Sequence, residues 1–189
     1  MSPFEFVIGA LLIILGLGIT ELLNDAVGQF RDRSERASDW IALTWAAIVF
    51  VYQMQFLWAI FELSTIVQSW TAGNFLIALS LVLLLFVAGA LIVPRPSNSV
   101  PWDPWERFIE NGRWSLIALA AYCLLAFVAN IRLFELEWAA ADNLFNVFLA
   151  VYFLSVFFLR SRKIWAWATV VAAVLTVVET VRLSPSIYS

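Results

Sequence analysis

The sequence predicts an all-α integral membrane protein with six transmembrane helices in a single domain, residues 1–189. Three observations carry that prediction. Of 189 residues, 63% are hydrophobic and 13% charged, and the mean hydropathy is +0.89. Soluble domains hold about 45–50% apolar and about 25% charged residues. Apolar stretches also recur at close to the length, about 20 residues, that a helix needs to cross about 30 Å of hydrocarbon. Six of them use nearly the whole chain and leave no room for a soluble domain. Finally, the basic residues keep to alternate loops. Arg31, Arg33, Arg36, Arg95, Arg107, Arg113, Arg160, Arg162 and Lys163 follow the first, third and fifth stretches, and only Arg132 and Arg182 fall on the other side. Such an asymmetry places the loops 24–39, 94–113 and 160–163 in the cytoplasm and both termini outside. The expected location is a cell inner membrane of bacterial type, crossed in multiple passes.

The first span, 4–23, opens after Ser2-Pro3, with proline at the first helical position. It lacks the basic start and small-residue cleavage site of a signal peptide, so it reads as a retained helix. Its helix runs on towards Phe30 through GLGITELLNDAVGQF, in which Gly18, Glu21, Asp25 and Gln29 share one stripe. The second span, 40–63, carries Gln53 and Gln55 in its interior and Glu62 at its far end; Thr44, Gln55 and Glu62 share a stripe, with Tyr52 beside it. The third, 75–93, holds no charge and is stopped by Pro94-Arg95-Pro96. Residues 102–113, which mix Trp102, Trp105 and Phe108 with charges, read either as an interfacial helix lying on the bilayer or as an ordinary loop turning at Asp103-Pro104. The remaining spans are 114–134, 143–159 and 164–181. Tryptophans cluster at span ends, as interfacial belts do, whereas Trp45, Trp58 and Trp167 lie deeper, where core packing or contact with a hydrophobic ligand is expected.

Two stretches look alike. SWTAGNFLIALSLVLLLFVAGALIVPR from Ser69 and EWAAADNLFNVFLAVYFLSVFFLRSR from Glu137 share tryptophan, small residues, asparagine, an apolar span and a basic stop. An internal duplication of the span 2–3 and span 4–5 hairpins would produce this, and parallel repeats are one transporter architecture. Convergence on outer turns that want tryptophan and a capping asparagine would produce it too.

Composition excludes much chemistry. The chain has no histidine and one cysteine, Cys123, which removes Ser–His and Cys–His catalysis, histidine metal ligation and an internal disulfide. A formal charge of −3 points to no nucleic-acid partner. Phosphate loops, HExxH and GxSxG are absent. Neither an enzyme nor a cofactor is expected; the expected partners are the lipid bilayer and either further copies of the chain, for which its small-residue patches leave room, or a larger membrane complex.

Polar residues at membrane depth are the candidates for function, because each is expensive in hydrocarbon. Glu21 and Asp25 form a carboxylate pair, either a cation or proton site or simply a helix end entering water. Gln55 and Glu62 of the second span, with Asn130, Arg132 and Glu179, gather towards the outer face, beside Glu135, Asn146 and Arg182; Arg132 is expected to pair with Glu62 or Glu179. Tyr52, Gln53 and Gln55, like the Thr169, Thr176 and Thr180 face, suit hydrogen bonds between helices. On this reading the chain is a transporter or channel for ions, protons or small solutes that uses membrane-embedded carboxylates. The alternatives are a non-catalytic subunit or assembly factor of a larger complex, and a sensor or lipid-binding module. A transporter requires the acids of spans one, two and six to converge on one water-accessible cavity.

Overall fold

A computed structural model describes residues 3–31, 39–66, 71–93 and 103–183, and among these there is no strand. Seven α-helices follow in order: α1 (Pro3–Arg31), α2 (Trp40–Ile66), α3 (Ala72–Ile92), α4 (Pro104–Glu110), α5 (Ser115–Arg132), α6 (Ala141–Phe157) and α7 (Arg162–Leu183), with one 3₁₀ turn (Gly112–Trp114) between α4 and α5. Five stretches are long and apolar enough to cross a membrane: 5–29, 40–63, 72–92, 105–132 and 162–182. At 17 residues, α6 is shorter, though equally apolar in character. The described residues are thus helical throughout their regular structure, with several helices long and apolar enough to span a membrane.

Local chemistry sets the helix starts. Asp39 caps α2, its Oδ1 accepting from the Ile41 N–H at 3.0 Å. The Thr71 hydroxyl accepts from the Asn74 N–H at 3.2 Å, and Asp103 accepts from the Trp105 N–H at 2.9 Å, each satisfying an N–H that the first turn leaves without a partner. Between α5 and α6 the chain turns at Glu135, with φ 56, and the buried Asn143 side chain donates back to the Glu137 carbonyl at 2.7 Å.

α2 and α7 meet through three side-chain pairs. Arg162 pairs with Asp39 at 3.2 Å, the Trp45 indole N–H donates to Thr169 at 3.0 Å, and the Gln55 amide donates to Thr180 at 2.9 Å. Residue numbers rise together on both helices, so α2 and α7 run parallel. By the same test α6 and α7 run antiparallel: Asp142 meets Arg182 at one end, and the Tyr152 hydroxyl donates to the Ala168 carbonyl further along. Edge-to-face rings fill the space between: Trp45 against Phe153 and Trp165, and Tyr52 against Phe153 and Tyr122. Such pairs add to the stabilisation that their burial gives.

α1 packs on α3 at two glycines. A Cβ on Gly18 or on Gly89 would stand 3.2 Å from Gln53 Nε2, so the absence of both side chains makes room for the Gln53 amide. That amide is fully buried, and both of its polar atoms lack a hydrogen-bond partner.

Two open readings narrow. The 102–113 segment contains a helix, α4, as the first of its two readings has it, and its aromatic face packs onto the protein. Phe108 is 0% exposed and edge-on to Trp165 at 5.3 Å, and Trp105 packs against the same ring. Gly112 allows this closure, since a Cβ there would stand 2.6 Å from Phe108 Cδ2 and 3.0 Å from the Ile92 carbonyl oxygen; Trp102 lies outside the described residues. Of the deep tryptophans, Trp45 is core, whereas Trp58 and Trp167 are 43% and 75% exposed on the apolar outside of the bundle. Asn74 and Asn143, matched between the two similar stretches, differ locally: the first is half-buried in a turn capped by Thr71, the second is buried and tied to Glu137. Trp70 and the basic residues Arg33, Arg36 and Arg95 lie outside the described residues.

Candidate functional site

Where α2, α5 and α7 end and α6 begins, the helices separate around a cavity of about 410 Å³. On α2 its lining runs from Tyr52 to Ile66, about 21 Å of helix at 1.5 Å per residue. Tyr52 lies twelve residues into α2, about 18 Å along its axis, so the cavity floor reaches the middle of the apolar stretch 40–63. Three positions on α2 (Gln55, Ala59 and Glu62) face the same way because their spacings of four and three follow the helical repeat.

The polar wall comes from four helices. Gln55 and Glu62 come from α2, Asn130 from α5, Asp142 and Asn146 from α6, and Glu179 and Arg182 from α7. Most already have partners. Gln55 is held by Thr180, and the Trp58 indole N–H donates to Glu62 Oε1 at 3.2 Å. Asn146 donates to the Asp142 carbonyl at 3.1 Å. The Arg182 guanidinium donates to Asp142 Oδ1 at 2.8 Å and lies over the Phe145 ring, 5.4 Å from its centre.

Two groups at the floor are different. The Tyr52 hydroxyl faces the Glu179 carboxylate, yet both that hydroxyl and Glu179 Oε2 are buried without a hydrogen-bond partner of good geometry. Tyr52 is only 1% exposed. Buried polar atoms are nearly always paired, so an unsatisfied pair lining a cavity marks a place where a guest could supply the missing contacts. Tyr122, Ala126, Phe134 and Phe145 give the rest of the wall an apolar, aromatic character.

Of the residues singled out from sequence, Gln55, Glu62, Asn130 and Glu179 line this cavity. Arg132 does not: it is exposed at the last turn of α5 and, among the described residues, forms no ion pair with Glu62 or Glu179. Arg182 is the arginine of this cluster, and its partner is Asp142. Glu21 and Asp25 lie apart on α1, both half-buried, on a stripe whose other members Gly18 and Gln29 are buried. That stripe therefore faces the protein rather than lipid. Sequence reasoning passed over Asp142 and Tyr122. An acid in the first turn of a helix reads as an ordinary complement to the helix dipole. Only the antiparallel packing of α6 on α7 brings Asp142 beside Arg182.

Among the described residues no group of three His, Cys, Asp or Glu stands close enough to hold a metal ion. The cavity itself is lined by aromatic rings, amides and carboxylates. Compared with protein-family models, curated proteins and solved structures, the chain matches none.

Proposed function

We propose that this chain is a small-solute or ion transporter of a cell inner membrane, with six crossings, both termini outside, and the cavity between α2, α5, α6 and α7 as its outward-facing polar path. The observation that supports it best is the convergence of the acids of α2 and α7, joined by Asp142 of α6; the acids of α1, expected to join them, do not line the cavity. Glu62, Asn130, Asp142 and Glu179 come from four different helices, and all line one cavity whose floor reaches the middle of α2. Helices that only anchor or pack have no need of so many costly groups around one void.

Six crossings accord with the parallel run of α2 and α7. If both start on the same side of the membrane, α3, α5 and α6 must all cross between them. α6 spans about 26 Å at 1.5 Å per residue, short of a core about 30 Å thick but within reach if the residues flanking it share the depth. The basic loops then lie together on the cytoplasmic side, and the cavity opens on the other. Under this topology the two similar stretches, 69–95 and 137–162, run in the same direction, as an internal duplication of the two hairpins requires.

The test is flux into proteoliposomes under imposed proton, Na⁺ and K⁺ gradients, and with small organic solutes, for the wild type beside a Glu62→Gln/Glu179→Gln double variant. The expected result is a wild-type flux that the double variant loses while remaining monodisperse in detergent. A Glu21→Gln/Asp25→Asn variant, altered outside the cavity, is expected to retain most of the flux. No wild-type flux under any condition would turn attention to the reading as an accessory subunit of a larger membrane complex.

A further inference from the structure

We infer that the cavity takes an organic cation, an ammonium-type charge carried on an apolar body. This inference rests on the cavity being a solute site, as the transport reading has it, but not on the solute being carried across. Charge is the first argument. Among the described residues, Glu62, Asp142 and Glu179 line the cavity with one guanidinium, Arg182, so the described lining carries a formal excess of two negative charges. The guanidinium is already engaged, with Asp142 at 2.8 Å and the Phe145 face at 5.4 Å. An anion entering would have to compete with Asp142 for Arg182 and would meet two further carboxylates.

The second argument is independent of the acids. The Tyr52 hydroxyl, on a residue only 1% exposed, faces the Glu179 carboxylate, yet neither it nor Glu179 Oε2 is held in a hydrogen bond of good geometry. The oxygen of a carboxylate can only accept, and a phenol can accept as well as donate. A guest that brings N–H donors, or a diffuse positive charge, satisfies both at once and supplies the countercharge that a buried carboxylate needs.

Size and lining separate an organic cation from a bare ion. A void of about 410 Å³ falls in the range of small-molecule sites, about 300–1,000 Å³. Its rings, Tyr52, Tyr122, Phe134 and Phe145, give apolar contact to a carbon body and π-faces to a positive charge. Arg182 over Phe145 already shows that geometry inside the wall.

Isothermal titration of the purified protein in lipid nanodiscs tests this with three cations of graded shape, phenethylammonium, benzyltrimethylammonium and tetrapropylammonium. The controls are 2-phenylethanol, which is neutral, and phenylacetate, which is anionic. Saturable binding of at least one cation, weakened tenfold or more by Glu179→Gln, with the controls at least tenfold weaker, is the expected result. Tyr52→Phe, which keeps the ring and removes the hydroxyl, serves as the second variant should Glu179→Gln fail to fold, and should weaken an N–H cation more than a quaternary one. Binding of phenylacetate in preference, equal binding of 2-phenylethanol, or no binding of any of the three cations at millimolar concentration would overturn the inference. Cation binding without flux in proteoliposomes would leave it standing and remove the transport reading. Flux of protons or inorganic ions with no organic-cation binding would do the reverse.

Discussion

Gly112 shows how one missing side chain decides the packing of a whole corner. Its hydrogen lets the Phe108 ring close under Trp165 while the last turn of α3 passes alongside. Gly112→Ala would drive a methyl into a fully buried ring and a backbone carbonyl, neither of which can move cheaply, and overpacking of this kind costs about 1–3 kcal/mol. A drop of that size in the unfolding free energy in detergent, followed by tryptophan fluorescence, is the expected outcome. Gln53 predicts the opposite sign. Its amide is buried with both polar atoms unpaired, and a buried unpaired polar group costs about 1–3 kcal/mol. Gln53→Met keeps the volume and removes the polarity, so the same assay should show a more stable protein; a less stable one would mean that the amide has found a partner such as an internal water. Neither residue could be read from sequence in this way. Gln53 stood out as polar at mid-span, but its two glycine neighbours lie on α1 and α3, and only the fold brings them to it.

At the scale of elements, the helices were legible and their ends nearly so, because apolar length and caps are local properties. α2 begins at Trp40 and α3 stops just before Pro94, as the sequence indicates. The pairing of elements was not legible. Nothing local says that α7 lies along α2, since the contacts that hold them (Asp39 with Arg162, Trp45 with Thr169, Gln55 with Thr180) bridge more than 120 positions of sequence. Asp39 does two things there, capping α2 through Oδ1 and holding Arg162 through Oδ2. Asp39→Ala removes both and should destabilise by about 1–2 kcal/mol, most of it the cap. Asp39→Asn keeps an oxygen for the Ile41 N–H and gives up only the charge facing a half-exposed arginine, an interaction of about 0–1 kcal/mol. Its expected loss is less than half that of the alanine variant. Equal losses in the two variants would assign the stabilisation to the ion pair instead.

For the whole molecule, the same α2–α7 pairs carry a statement about topology. A helix pair held parallel at both ends must start from the same side of the membrane, and that fixes the number of crossings between them as odd. If α3 and α5 cross, the proposed topology requires α6 to cross as well, although its 17 residues are the fewest of any apolar helix here. Hydropathy alone leaves that helix ambiguous, and the parallel side-chain pairing is the argument for a crossing. The consequence can be measured at two exposed positions that flank α6, Ala139 before it and Ser161 after it. Cys123 is fully buried, and with Cys123→Ser as the background each position can carry the only thiol. Ala139→Cys should react with a membrane-impermeant maleimide on intact cells, and Ser161→Cys only after the membrane is opened, because the proposed topology puts the basic loop 160–163 inside. Reaction of both from one side would mean that α6 does not cross. α7 would then run against α2 rather than with it, the pairing of Asp39 with Arg162 and of Gln55 with Thr180 would be geometrically excluded, and the cavity that depends on that packing would lose its α7 wall.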